Sequence, residues 1–388
     1  MAYIEDGKCH LYKMDSNLSE WLLAGAFLAM VPLMEGWNFF YSHVLFLAFV
    51  FFIGFTTGVR RSRWLLGFLF LTILLLINFA LALRGGTEGR FVQDSVKLAL
   101  FFGSLFFVVN FFSNDFCSSM LRKIIILFPF VFIGYFLFVF DGNMFAYSGR
   151  LYSPLFGSPN VVGVFCALAI IYLVGYRKDF SILALCSLFC FYLTVLGLGF
   201  SRAAIIGLAL SLFFIFRFRG ALSFLFVGII FFVGLVAIDS IYPFIPDWVW
   251  QKGDVANDLE ETGGSYRTLI WGLALERFAS DPITFLFGEG VGRTITVAQY
   301  GFYVDHPHNF YIFLLLSYGI IFFLVFIFVW GRVCWRSVNY FMSGQRFNFS
   351  LFLFYSLIFM MDTHVLSSQF FIVHVLFLSL LFRSNYTK

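Results

Sequence analysis

A chain of 388 residues that is 61% hydrophobic, 22% aromatic and only 12% charged is not a water-soluble domain, in which about 25% of residues are charged. Its net charge of +4 is distributed by membrane side rather than gathered in a patch, so it gives no ground for a nucleic-acid partner. The expected class is an all-α, polytopic transmembrane helical bundle.

Residues 1–20 are polar and lack a small-residue cleavage pattern. They read as a cytoplasmic N-terminal tail and not as a cleavable signal peptide. A hydrocarbon core of about 30 Å takes roughly 20 apolar residues per helix, fewer where flanking aromatics extend the run. About twelve such runs follow, at roughly 21–35, 41–59, 64–83, 95–112, 124–140, 160–176, 180–200, 203–216, 221–244, 308–330, 348–362 and 366–382. Nine spans thus occupy 21–244, and the last three, with a short cytoplasmic end, occupy 308–388. Pro32 and Glu35 interrupt the first run. With the N-terminus inside, sixteen of the 25 Lys and Arg residues fall in inside segments, as short cytoplasmic loops require. Arg60, Arg61 and Arg63 mark one such loop, Arg122 and Lys123 the next, then Arg177 and Lys178, then Arg217 and Arg219. Of the six cysteines none maps to an outer loop, so no disulfide is expected. The 61 phenylalanines read as lipid-facing and core bulk.

The one large loop, 245–307, falls outside. It is too short for an independent domain and long enough for helices lying over the bundle. Within it Leu269, Leu273 and Ala274 recur at helical spacing, Ser265 can cap, and Asp281-Pro282 stops the helix. Arg267 and Trp271, four apart, share a face of that helix. "FGEGVGRT" at 287–294 reads as a glycine-containing turn. Without a preceding strand its GxGxxG look does not make a nucleotide site.

Three features gather on the outer side. Arg202 occupies the tight turn between two spans, where the guanidinium lies at or just below the membrane surface. Arg267 stands in the outer loop. "DHPHNFYIFLLLSYG" at 305–319 puts His306 and His308 directly before an apolar run. Pro307 and Asn309 already suffice to start that helix, which leaves the histidines for another task. A zinc site is not expected, because His-Pro-His sets the rings off a common helical face with only Asp305 adjacent. Snorkelling of Arg202 to headgroups and an ion pair of Arg267 with Glu260 or Glu261 remain open alternatives. Read together, the residues suit the holding of a lipid-linked phosphate or diphosphate while a proton leaves an attacking hydroxyl. Guanidinium forks match phosphate oxygens, histidine titrates near neutrality, and positioned cations stabilise a departing diphosphate without metal.

Four ordered motifs, "GRLYSPLFGSPNVVG" (149–163), "SRAAIIG" (201–207), "SYRTLIWGLAL" (265–275) and "HPHNFYIFLLLSYG" (306–319), together with the span layout resemble the O-antigen ligase and polymerase superfamily of bacterial inner-membrane glycosyltransferases. The resemblance covers most of the chain. His308, Asn309 and Gly319 fall where the ligases have His, then Asn, Ser or Gln, then nine residues and Gly. Phe322 departs from the Gly, Thr or Tyr that continues that pattern. The resemblance implies a multi-pass protein of the inner membrane whose site faces the periplasm. It implies transfer of a glycan from undecaprenyl diphosphate to lipid A-core oligosaccharide in lipopolysaccharide biosynthesis, with neither metal nor other cofactor. By the same match Arg202 and Arg267 bind diphosphate and His308 is the essential histidine, acting as general base. Arg150, which opens an outer loop, is a further candidate for steering the anionic donor, with His306 and Asn309 as supporting residues. Asn160 is expected to cap the sixth span.

Two other functions compete with the ligase. An O-antigen polymerase would do the same chemistry on a second lipid-linked repeat unit, and Arg277 with Gly288 fits an Arg-x10-Gly spacing seen in some polymerases. A twelve-helix transporter would show paired half-repeats and polar interruptions at the midplane. No repeat is visible, and the polar residues of interest gather at one surface.

Overall fold

The structure, a computed structural model, describes residues 3–5, 8–10, 21, 101–106, 108–109, 112–138, 159–199, 201–216, 267–290, 295–297, 302–304, 307–361 and 370–383. Helices dominate them. A small β-ribbon, β1 (Tyr3–Glu5) with β2 (Lys8–His10), stands near the N-terminus. Then come α1 (Asn114–Phe138), α2 (Pro159–Gly175), α3 (Ile182–Gly199) and α4 (Arg202–Phe216). The outer-loop region contributes α5 (Arg267–Phe278), α6 (Pro282–Phe287) and a second ribbon of β3 (Ile295–Val297) and β4 (Phe302–Val304). Finally α7 (Phe310–Met342), α8 (Arg346–Met361) and α9 (Phe371–Arg383) complete the described chain.

Segments Asn114–Leu137, Ile182–Gly199 and Phe310–Met342 are long and apolar enough to cross a membrane, and α2, α4, α8 and α9 contain shorter apolar helices. The protein is thus a helical membrane protein on length and composition. The runs expected near 160–176, 180–200, 203–216 and 348–362 correspond to α2, α3, α4 and α8, because uninterrupted apolar residues leave a lipid-embedded backbone no partner but itself. Those expected at 41–59, 64–83 and 221–244, and nearly all of 21–35, lie outside the described residues.

The start of α1 differs from the sequence reading. α1 begins at Asn114, so Arg122 and Lys123 sit inside a helix and not in a loop. Lys123 is buried, with Nζ donating to Ser119 Oγ at 3.2 Å and lying 5.8 Å from the Trp21 ring centre. That pairing lets a cation sit on a helix wall. The two short ribbons are likewise additions to an all-helical expectation.

The core is aromatic. Phe128, Phe165, Tyr192 and Phe370, from α1, α2, α3 and the residue before α9, form one cluster, with Phe165 and Phe370 stacked at 4.5 Å. α4 lies against α2 and α8, and close approach is bought with small residues. A Cβ on Gly207 would meet the Phe354 ring at 3.0 Å, and one on Gly163 would meet Ser201 Cβ at 2.5 Å.

The third long helix is not one rod. At Gly319 the backbone turns to φ 74°, ψ 179°, a conformation essentially reserved for glycine. In a straight helix Phe310 and Phe326 would stand about 24 Å apart along the axis, yet their ring centroids are 5.5 Å apart. The first arm, 310–318, therefore folds back on the second, 320–342. The span expected at 308–330 therefore comprises two arms, of which the second, 320–342, is about 34 Å long.

Candidate functional site

The site grows from the start of the folded-back arm of α7. Asn309 has extended backbone and its Oδ1 accepts from Tyr311 N at 3.0 Å and Ile312 N at 3.2 Å, an ordinary side-chain cap. Its carboxamide oxygen is thereby committed to the helix. His308, immediately before it, is half-buried and has φ 51°, the left-handed region. Among the described residues no other non-glycine has positive φ. Such conformations are uncommon and gather at functional sites.

Helix α5 is bound to this arm at two places. Trp271 Nε1 donates to the carbonyl of Pro307 at 2.8 Å, directly beside His308. Further along, Arg277 Nε donates to Glu289 Oε2 at 2.8 Å, and Glu289 N donates to Leu316 O at 2.9 Å. Trp271 thus matches the beginning of the arm and Arg277 its end, so the two helices run the same way. Between these ties Ile270, Ala274 and Phe278 pack with Leu316 and Ile295 in a small second core. Arg267, one turn before Trp271 and on the same face, therefore stands at the His308 end. It is half-buried.

Arg202 reaches the same level by another route. Ser211 Oγ donates to Ser350 O at 3.0 Å, and Gly207 backs onto Phe354. Four residues back on α4 are four residues forward on α8, so the pair is antiparallel and Arg202 comes level with Phe359. The Phe359 ring lies 4.7 Å from that of Phe310, two residues from His308. Arg202, Arg267 and His308 accordingly occupy one end of the described bundle, at or beside the starts of three helices. Helix starts present unpaired N–H groups and the positive end of the dipole, an arrangement that favours anions. Ser201, fully buried beside Arg202, has a hydroxyl with no hydrogen-bond partner among the described residues.

The break at Gly319 sets the depth of this end. Helix α6 is capped by Asp281, whose Oδ1 accepts from Ile283 N and Thr284 N at 2.9 and 3.0 Å. Asp281-Pro282 therefore starts a new helix as well as ending α5. Residues 288–290 then run across the break, with Gly290 N donating to Ser317 O at 3.0 Å. A Cβ on Gly288 would lie 2.3 Å from the Ser317 carbonyl carbon, and one on Gly319 would lie 2.3 Å from Leu286 O. Both glycines are required by contact. Because the arm folds back, its His308 end lies beside Phe326 and not at the tip, roughly 10 Å along the second arm from the break. The apolar side chains of Ile283, Phe287, Ile321 and Leu324 on this tip are exposed, as lipid contact requires.

Several sequence signals take their place here. Phe322, the departure from the ligase pattern, packs on Tyr318 with ring centroids 4.9 Å apart and belongs to the hairpin's packing. Arg277 and Gly288 are engaged in the tie and the crossing just described. Glu289 was not singled out by sequence; an acid between two glycines twelve residues after an arginine was its only signal. Asn160 lies within the first turn of α2, with Pro159 at the first helical position, and is not the cap expected. Arg150 and His306 lie outside the described residues. Compared with known proteins, the chain matches no protein-family model and finds no significant match among curated sequences.

Proposed function

We propose that this protein is a twelve-span inner-membrane glycosyltransferase, an O-antigen ligase. It transfers a glycan from undecaprenyl diphosphate to lipid A-core oligosaccharide at the periplasmic face. The observation that carries this reading is the Trp271 Nε1 to Pro307 O bond. It ties the helix of Arg267 to the start of the arm that bears His308, as a shared phosphate and proton-transfer site requires. In orientation, Arg177, Lys178 and Arg346 mark the end away from His308, and basic loops face the cytoplasm.

In this reading Arg202 and Arg267 hold the diphosphate oxygens in bidentate fashion, and the helix starts add their dipoles. His308 takes the proton from the acceptor hydroxyl as its oxygen bonds to the anomeric carbon. The bond from that carbon to the diphosphate oxygen breaks, and undecaprenyl diphosphate leaves with the electron pair, its charge held by the arginines. A single displacement inverts the anomeric configuration, so a product of retained configuration would sink the mechanism. The polymerase reading drew on Arg277 and Gly288, whose ion pair and backbone crossing give them structural reasons to be where they are.

The test is deletion of the gene followed by electrophoresis of lipopolysaccharide, with complementation by wild type and His308→Ala. Loss of all attached O-antigen, with polymer retained on the lipid carrier, is the expected result. Core bearing one repeat unit would mean a polymerase, and unchanged lipopolysaccharide would refute both. The His308→Ala protein should reach the membrane and fail to complement; near-normal complementation would remove its role as base.

A further inference from the structure

The end of the bundle away from His308 holds a cavity of about 750 Å³, within the size range of small-molecule sites. It lies where α2 ends in the turn Arg177–Asp179, where α4 ends at Phe216, and where α8 begins. Arg202 and Phe216 are opposite ends of α4, so roughly 21 Å of helix separates this cavity from the candidate site. Arg177, Lys178 and Arg346 line it against a single acid, Asp179. The guanidinium of Arg346 lies 5.8 Å from the Phe341 ring centre. The first turn of α8, Arg346 to Asn348, has no acceptors of its own for its N–H groups inside the helix.

A second, independent observation concerns Asn348. This side chain lines the cavity, is only 2% exposed, and its Oδ1 has no hydrogen-bond partner among the described residues. That oxygen is closed off from the cavity, so Asn348 bounds the site beside the first-turn amides of α8 and does not itself take the ligand. The wall around it is firm: Phe347 lies on Gly175, where a Cβ would meet its ring at 2.3 Å, and against Tyr176 at 5.1 Å between centroids. Phe216, at the rim, is 40% exposed.

We propose that this cavity binds a phosphate group. Arg177, Lys178, Arg346 and the first-turn amides of α8 take the phosphate oxygens. Two sources have that chemistry: the glycerol headgroup of an anionic phospholipid in the adjacent leaflet, and hydrogenphosphate from solution. Basic pockets at helix ends suit the former, and exposed Phe216 offers a surface for its acyl chain.

The experiment is native mass spectrometry of the full-length protein in detergent, titrated with dioleoylphosphatidylglycerol, with dioleoylphosphatidylcholine and with inorganic phosphate. The variants are Asn348→Asp and Arg346→Gln. Aspartate keeps the size of Asn348 and suits the start of a helix, but repels phosphate. Wild type is expected to retain one phosphatidylglycerol and no phosphatidylcholine, with occupancy at least about tenfold lower in both variants. Retention of inorganic phosphate instead, lost in the same variants, supports the site with the soluble source. Should Asn348→Asp fail to fold, Arg346→Gln alone decides. Equal occupancy in wild type and folded variants, or binding of neither probe by wild type, overturns the proposal.

Discussion

The two longest described helices each carry an interrupting residue. α1, of 25 residues, has Pro129 inside it, and α7, of 33, has Gly319. Proline is the stronger breaker, since it lacks the N–H and clashes with the preceding turn. Yet α1 continues and α7 turns back. The difference lies in who satisfies the carbonyls set free. In α1 proline deprives only the Ile125 carbonyl, four residues earlier, and the Tyr192 hydroxyl donates to that oxygen at 2.7 Å. In α7 the carbonyls of Leu316 and Ser317 receive the N–H groups of Glu289 and Gly290, from a strand of chain that passes through the bend and holds it open. A single side chain repairs a helix, whereas a crossing backbone ends one.

The largest effect expected from disturbing this comparison is at the bend. Gly319→Ala combines a disallowed backbone conformation with a Cβ 2.3 Å from Leu286 O, a cost on the order of 4 kcal/mol. The expected outcome is loss of folded protein in the membrane, read by detergent-resistant monodispersity and thermal unfolding. A fully stable Gly319→Ala protein would mean that the arm straightens at no cost, and the comparison would fail.

Next comes the use made of the bend. If it serves to place a helix start at the site, changes around that start should lower the proposed glycan transfer far more than stability. Arg267→Lys keeps the charge and loses the fork, so a fall in transfer of roughly 10- to 100-fold is expected with unfolding temperature unchanged. Wild-type transfer would return Arg267 to a surface ion-pair role. Trp271→Phe removes the donor to the buried Pro307 carbonyl, with an expected cost of about 1–2 kcal/mol. Transfer should fall by several-fold as α5 loosens from the arm. An unaltered rate would show that this tie does not position Arg267.

How much of this could be read in advance follows the same division. α2, α3 and α4 were legible because their apolar runs are bounded by polar residues, and membrane helices need little beyond length. The helix under Arg267 was legible in the spacing of Leu269, Leu273 and Ala274. The bend was not, because one glycine in an apolar run is an ordinary membrane residue, and its donors lie at 289 and 290, far earlier in the chain. The position of His308 below the tip of α7 depends on the bend and was hidden with it. Arg122 and Lys123 misled for the converse reason: a basic pair reads as a loop, and nothing local to it announces Trp21 as a partner.

The smallest effect tests the repaired helix. Tyr192→Phe leaves the buried Ile125 carbonyl without its donor, for about 1 kcal/mol. Pro129→Ala gives that carbonyl an N–H four residues on and relaxes the clash that proline imposes, so it should be neutral or mildly stabilising. If the hydroxyl serves the carbonyl that proline frees, Tyr192→Phe must cost less once Pro129 is alanine. The coupling should be about 0.6 kcal/mol, the average for hydrogen bonds between membrane helices, measured as a double-mutant cycle in unfolding. Additive costs would mean that Tyr192 acts through its ring in the Phe128 cluster alone, with the continuity of α1 owing nothing to its hydroxyl.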